Sequence, residues 1–402
     1  MIKDGKKIIE NIFIFLFFLY LFFLSRRGGN SKDKISVLLM ITVIFYSLRY
    51  KYYEKYLLYK KEIVSGIIYI VLVILSYSYS DIKNNDRLYI LTHATLYSIG
   101  FFLVILNYNL EKKYLKYIFI ILFLLTLPPI FRGLIDLIRN YEILDLYRLE
   151  GRTYTTSYAL ELGIYFIIIL FILCYYKNKY IRFLSFFYIL IIVVLIIGTQ
   201  SRNTFLMLPI SLIFIAFLVN YKKGIIIFIT LMIGIIALKE PLDIKAINRI
   251  NSTITSIEKI QTDARFLLFK EGIEISKKNI LKGEGFFSYK GIKGEERLVQ
   301  KHGHYHNIFI ETAVTQGIIT LITYILFLSL LFYRLIKNYF TEKDELKKYI
   351  KLMTVAVFIF AHLYGLAEPI FYFEKLYQLI FTIITISIII DTQNDKIIEE
   401  GR

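Results

Sequence analysis

Apolar residues along this chain gather in blocks, and short polar, basic loops separate them. Within a block there is no alternation. The run Phe183 to Ile197 is apolar at nearly every position, which is unlike the in-out pattern of a membrane β-barrel strand. A helix needs about 20 apolar residues to cross a bilayer. Blocks near that length predict spans at 8–24, 35–48, 63–80, 88–107, 117–131, 157–176, 183–198, 204–219, 224–238, 308–332, 351–367 and 376–390. The expected fold is therefore an all-α polytopic membrane protein of about 12 transmembrane helices. Three regions follow: helices 1–9 in residues 1–238, a large extracytoplasmic loop at 239–307, and helices 10–12 with a cytoplasmic tail at 308–402. Pro128-Pro129 and Pro209 are expected to kink or end their helices.

Basic residues set the orientation. With the N-terminus in the cytoplasm, the inner side holds Lys3, Lys6 and Lys7, the Arg49 to Lys61 cluster, Lys112, Lys113 and Lys116, and the cluster from Arg334 to Lys351. Short outer loops are poorer in Lys and Arg, although the first carries Arg26, Arg27, Lys32 and Lys34. Both ends are expected inside. The net charge of +17 is spent on this bias and is no nucleic-acid signal. No small-residue cleavage site follows the first block, so it reads as a spanning helix. With 34 Tyr and no Trp, the interfacial aromatic belt must be built of tyrosine. Residues 132–156 form a medium outer loop. In the larger one, Ile254 to Ser276 places Ile257, Ile260, Ala264, Leu267, Leu268 and Ile273 at roughly helical spacing, and Gly283, Gly285, Gly291 and Gly294 mark turns. A long ordered loop in a compact membrane domain is usually functional.

Candidate chemistry collects on that outer side. His302, His304 and His306 end the long loop just before the apolar run Ile308 to Phe332. Asn307 is a good N-cap for the helix that run predicts. The positive helix end disfavours an imidazolium at His306, and a neutral imidazole acts as a general base. Arg202, in a tight connection, and Arg265, on the amphipathic segment, each offer a planar fork that matches phosphate oxygens. Arg202 equally fits an interfacial arginine reaching the headgroups, and Arg265 a solvated face paired with Asp263 or Glu258. Three histidines also suit zinc, but the sequence shows no further carboxylate or Cys arranged to complete a set, so no metal is assigned. His93, Glu161, His362 and Glu368 sit in or near apolar blocks and should face the protein interior. Glu161 and Glu368 lie near the outer face, where they contact substrate or bond neighbouring helices. No Walker A motif, dinucleotide loop or Asp-x-Asp pair occurs, and no cofactor is expected. A membrane enzyme of this kind needs a pre-activated donor, and polyprenyl-diphosphate glycans fit.

At these residues the chain resembles the O-antigen ligase family and its polymerase relatives. The family hallmark is H-N-x-x-L, six residues, then Gly. Here it reads His306-Asn307-Ile308-Phe309-Ile310, six residues, Gly317, with Ile for Leu. Glu311 and Gly317-Ile318-Ile319 fit the usual continuation. Ser201-Arg202-Asn203 resembles a Ser-Arg-Gly element, with Asn for Gly. Asp263-Ala264-Arg265-Phe266 and Leu281-Lys282-Gly283-Glu284-Gly285 match an Arg-bearing helix followed by a Gly-x-Gly turn. Arg148-Leu149-Glu150-Gly151 resembles an Arg-x-x-Gly element, but Tyr154-Thr155-Thr156-Ser157 stands where Asn-Pro-Asn commonly follows.

The resemblance implies metal-independent, inverting glycan transfer on the periplasmic face of the inner membrane. The donor would be an undecaprenyl-diphosphate polysaccharide and the acceptor a sugar hydroxyl of lipid A-core. Arg202 and Arg265 would bind the diphosphate, and His306 would deprotonate or orient the acceptor. Asn307, His304 and Arg148 are further candidates for substrate binding. A polysaccharide polymerase shares this site logic. A lipid-linked sugar transporter would instead place ionisable residues near the bilayer midplane. Apart from these substrates and membrane lipids no partner is expected, and no nucleic acid.

Overall fold

In hydrocarbon every backbone polar group must be satisfied within the chain, and helices do this segment by segment. The apolar blocks accordingly become helices. The computed structural model describes residues 2–24, 31–50, 53–80, 83, 85–140, 148–151, 154–220, 222, 264–287 and 297–390, and no strand occurs among them. The main helices are α1 (Ile2–Leu24), α2 (Ser31–Tyr50), α3 (Lys60–Ser78), α4 (Asn85–Ile105), α5 (Leu115–Arg139), α6 (Thr155–Tyr175), α7 (Lys179–Thr199) and α8 (Arg202–Val219). After the long loop begins come α9 (Ala264–Lys278), α10 (Ile308–Gln316), α11 (Ile318–Thr341), α12 (Glu345–Tyr364) and α13 (Glu374–Ile389).

Eight of the described helices are long and apolar enough to cross a membrane. The expected span 224–238 and residues 239–263 of the long loop lie outside the described residues. The amphipathic segment expected from Ile254 to Ser276 is described from residue 264 onward, where it is helical as α9.

α6 occupies the centre. It is apolar on all sides and buried over most of its length, packing against α7 and α12; an all-round apolar helix belongs in the interior. At Gly163 it lets the Phe360 ring of α12 approach so closely that a Cβ would lie 2.2 Å from Cζ. α7 is mostly exposed, as a lipid-facing helix should be. Where α13 ends, buried Lys55 donates from Nζ to the carbonyls of Tyr108 and Ile388 (3.0 Å each). This cation satisfies carbonyls at the C-terminal end of α13.

One expectation from the sequence is narrowed here and another corrected. The prolines do not end their helices: α5 runs through Pro128 and Pro129 to Arg139, and α8 runs through Pro209. Losing one or two backbone bonds costs less in a bilayer than abandoning the helix. The outer connection expected at 132–156 therefore begins after Arg139. The single span expected at 308–332 is also two helices. Gly317, at φ +86°, separates α10 from α11.

The break at Gly317 is where the loop after α9 docks. The Ile318 amide donates to the Ile280 carbonyl (2.8 Å), and the Glu284 amide to that of Val314 (2.9 Å). The backbones are so close that a Cβ on Gly317 would lie 2.2 Å from the Leu281 carbonyl oxygen. Gly283, at φ +68°, meets the same crossing from the other side, where a Cβ would be 2.6 Å from the Gly317 nitrogen. The two glycines of the sequence motif face each other across one contact.

Gly317→Ala is expected to destabilise the protein by more than the ~1–3 kcal/mol of a strained positive φ, because the loop must also move. Gly303→Ala is the control, with φ +83° and nothing within 4 Å. Thermal unfolding in detergent should show a clearly larger loss for Gly317→Ala.

Candidate active site

The loop histidines are held by the start of α10. Asn307 caps it, Oδ1 accepting from the amides of Phe309 (2.9 Å) and Ile310 (3.1 Å). Its Nδ2 donates to the Leu366 carbonyl (2.9 Å), and the Ile308 amide donates to that of Gly365 (2.8 Å). The start of α10 is thus fastened to the turn that follows α12. His306 itself adopts φ +52°, an uncommon conformation outside glycine that clusters at functional sites. Beneath the loop, fully buried Glu311 accepts the Tyr305 amide (2.8 Å) and the Tyr372 hydroxyl (2.5 Å).

That turn carries Glu368, which is 1% exposed. Its Oε2 lies 3.2 Å from His306 Nδ1 and 3.8 Å from His304 Nε2. Its Oε1 accepts from Arg265 Nη2 at 2.8 Å. Arg265 Nη1 also donates to Asn203 Oδ1 (3.2 Å), so the first turn of α8 joins the cluster. Burial alone would raise the Glu368 pKa. The hydrogen bond to His306, with Arg265 and His304 beside it, more than offsets this and holds it below the ordinary value. The His304 and His306 rings lie 4.0 Å apart, and His302 lies 6.3 Å from His306.

The predicted residues His306, His304, Asn307 and Arg265 therefore share one corner of the bundle. Arg202 opens α8 immediately before Asn203 and is partly buried there. Arg148 lies nearby in a different posture. Its Nε donates to the Thr199 carbonyl (3.1 Å) and its Nη2 to that of Gln200 (3.5 Å). It thus places a cation at the C-terminal end of α7, a helix-stabilising role. Asp263 and Glu258, offered as partners of Arg265, lie outside the described residues. The partners observed are Glu368 and Asn203.

The other polar residues of the apolar blocks find partners away from this corner. Glu161 accepts from the Tyr165 hydroxyl (2.9 Å), and Lys375 Nζ lies 3.4 Å away. His93 pairs with Asp33 (3.2 Å), and His362 bonds the Phe358 carbonyl through Nδ1 (2.7 Å). Sequence reasoning missed that Glu368 is the hub, and it noted Asn203 only as a departure from the Ser-Arg-Gly element, not as a partner of Arg265. The available signal for Glu368 was a carboxylate at the edge of an apolar block, followed by Pro369.

One expectation about metals is corrected. A carboxylate does complete the histidine set, since His304, His306 and Glu368 lie close enough to share an ion. The hydrogen bonding suits a divalent cation poorly. The His306 amide donates to His304 Nδ1 (3.2 Å), so the proton of a neutral His304 is on Nε2, which then has no lone pair for a metal. Nδ1 of His306 faces a carboxylate and so carries a proton. The three groups are arranged to hold protons.

Residues 187–325 match the family described as O-antigen ligase, Wzy_C. The resemblance to that family holds. The matched region runs from α7 into α11 and contains Arg202, Asn203, Arg265 and all three loop histidines; Arg148 and Glu368 lie outside it. No curated protein matches the chain. The eight apolar helices fit a multi-pass membrane protein, and the match supports, in general terms, an O-antigen ligase- or polymerase-like function of glycosyltransferase-like chemistry.

Asn307→Ala removes both the α10 cap and the tie to Leu366. It is expected to cost ~1–2 kcal/mol, read as a lower unfolding midpoint in detergent.

Proposed function

We propose that this protein is an O-antigen ligase. It transfers a polysaccharide from undecaprenyl diphosphate to a sugar hydroxyl of lipid A-core, on the periplasmic face of the inner membrane. The single observation that carries this is the convergence of His306 and Arg265 on one carboxylate at the helix ends. A base for a hydroxyl and a guanidinium fork for a diphosphate stand side by side, where a lipid-linked donor and a sugar acceptor can meet.

In this reading Arg202 and Arg265 take the diphosphate oxygens, and Arg265 is 34% exposed and able to reach them. The acceptor hydroxyl approaches the anomeric carbon from the side opposite the diphosphate. Its oxygen forms the new bond as the carbon–phosphate oxygen bond breaks, and the configuration inverts. His306 Nε2 takes the hydroxyl proton. The two arginines stabilise the negative charge that develops on the departing diphosphate. No step needs a metal. A transporter reading finds less support, because the polar cluster sits at helix ends.

In a gene deletion, bare lipid A-core with accumulated long polyprenyl-linked chains is the expected outcome; core carrying single repeats would instead mean a polymerase. Complementation should succeed with wild type and fail with His306→Ala. With purified protein in liposomes, His306→Ala is expected to slow transfer about 100-fold or more, and EDTA to leave it unchanged. Full activity in His306→Ala would remove the base from this scheme.

A further inference from the structure

A general base needs its lone pair on the nitrogen that faces the substrate. An imidazole has two nitrogens, and a free histidine distributes its proton between them. What fixes the choice at His306 is a residue outside the matched family region. Glu368 presents a carboxylate, which only accepts hydrogen bonds, 3.2 Å from Nδ1. The only proton that satisfies this contact is one on Nδ1, and Nε2 is then left basic. The neighbouring His304 is fixed in the opposite form, because its Nδ1 accepts the His306 amide and its Nε2–H points toward the same Glu368 oxygen at 3.8 Å.

We infer that Glu368 is the positioning residue of the site, holding His306 as the Nδ1–H tautomer and linking that base to the donor-binding Arg265. This rests on the transfer reading above. Three groups face the carboxylate: Arg265, His304 and His306. Glu368 is 1% exposed, so its charge is answered by these groups and hardly by water. The consequence for the reaction is specific. When the acceptor proton arrives at Nε2, His306 becomes an imidazolium whose Nδ1–H already points at an anion. When the diphosphate draws on Arg265, Glu368 loses part of its compensation on Oε1. The charge that remains is best answered by a proton on His306. Donor binding and base strength are thereby coupled through one carboxylate. Asn203 keeps Arg265 at the site from its other side during that exchange.

The test is solid-state nitrogen-15 spectroscopy of histidine-labelled full-length protein in proteoliposomes, run beside steady-state transfer. The chain has five histidines, and His306 is assigned by difference against His306→Gln. The wild type should show His306 protonated on Nδ1 and bare on Nε2. Glu368→Gln should populate the Nε2–H form and lower kcat about 100-fold or more, with a much smaller change in the KM for donor. Glu368→Asp keeps the charge and should retain the Nδ1–H form with partial activity. A wild-type His306 protonated on Nε2 would overturn the inference, as would Glu368→Gln with unchanged tautomer and kcat. Should Glu368→Gln fail to fold, the wild-type tautomer and Glu368→Asp decide the matter. Wild-type protein that transfers no glycan would sink the transfer reading, and the tautomer would still judge the role of Glu368.

Discussion

The structure around the active corner depends on burying one carboxylate. Taking an ion out of water costs several kcal/mol unless charges and hydrogen bonds surround it. Glu368 meets that condition only if Arg265 on α9 and His306 before α10 both stand beside it. Arg265 in turn reaches Asn203 on α8. One electrostatic requirement therefore fixes the mutual placement of segments 62 and 103 residues apart in sequence. The residues that satisfy the carboxylate are the residues suited to phosphate binding and proton transfer, so the structural constraint and the proposed chemistry coincide.

A second constraint acts on the backbone. The loop after α9 crosses the α10–α11 break at a distance that leaves no room for a side chain on Gly317 or Gly283. The crossing sets how far α10 extends before the chain turns into α11. It thereby sets where the capped start of α10 presents His306. Asn307 and the Leu366 and Gly365 carbonyls fasten the same start from the other side. The imidazole is positioned by backbone contacts at both ends of a nine-residue helix.

The surrounding bundle supplies a rigid frame. α6 is packed on all sides, and the α12 helix that leads into the Glu368 turn lies against it. Arg148 and the Leu149 amide bind the carbonyls at the end of α7, which fixes the connection from which Arg202 emerges. A residue read from the sequence as a substrate contact is thus engaged with the helix that precedes Arg202. The prolines of α5 and α8 leave this frame uninterrupted, because the bilayer offers the backbone no alternative partners.

The sequence by itself determined the helical class, the positions of most helices, the Asn307 cap and the candidacy of His306, Arg202 and Arg265. These follow from short-range rules: block length, capping preference and the shape of a guanidinium. The tertiary structure decided that Glu368 is the hub, that Asn203 holds Arg265, that His304 and His306 meet at one oxygen of Glu368, and that the run from Ile308 is broken at Gly317. Each of these depends on groups far apart in the chain meeting within hydrogen-bond distance. Hydropathy could mark Glu368 as a charge needing a partner, but only three-dimensional packing selects which partner it gets. The break at Gly317 was invisible for the same reason, since its cause is the backbone of a different segment.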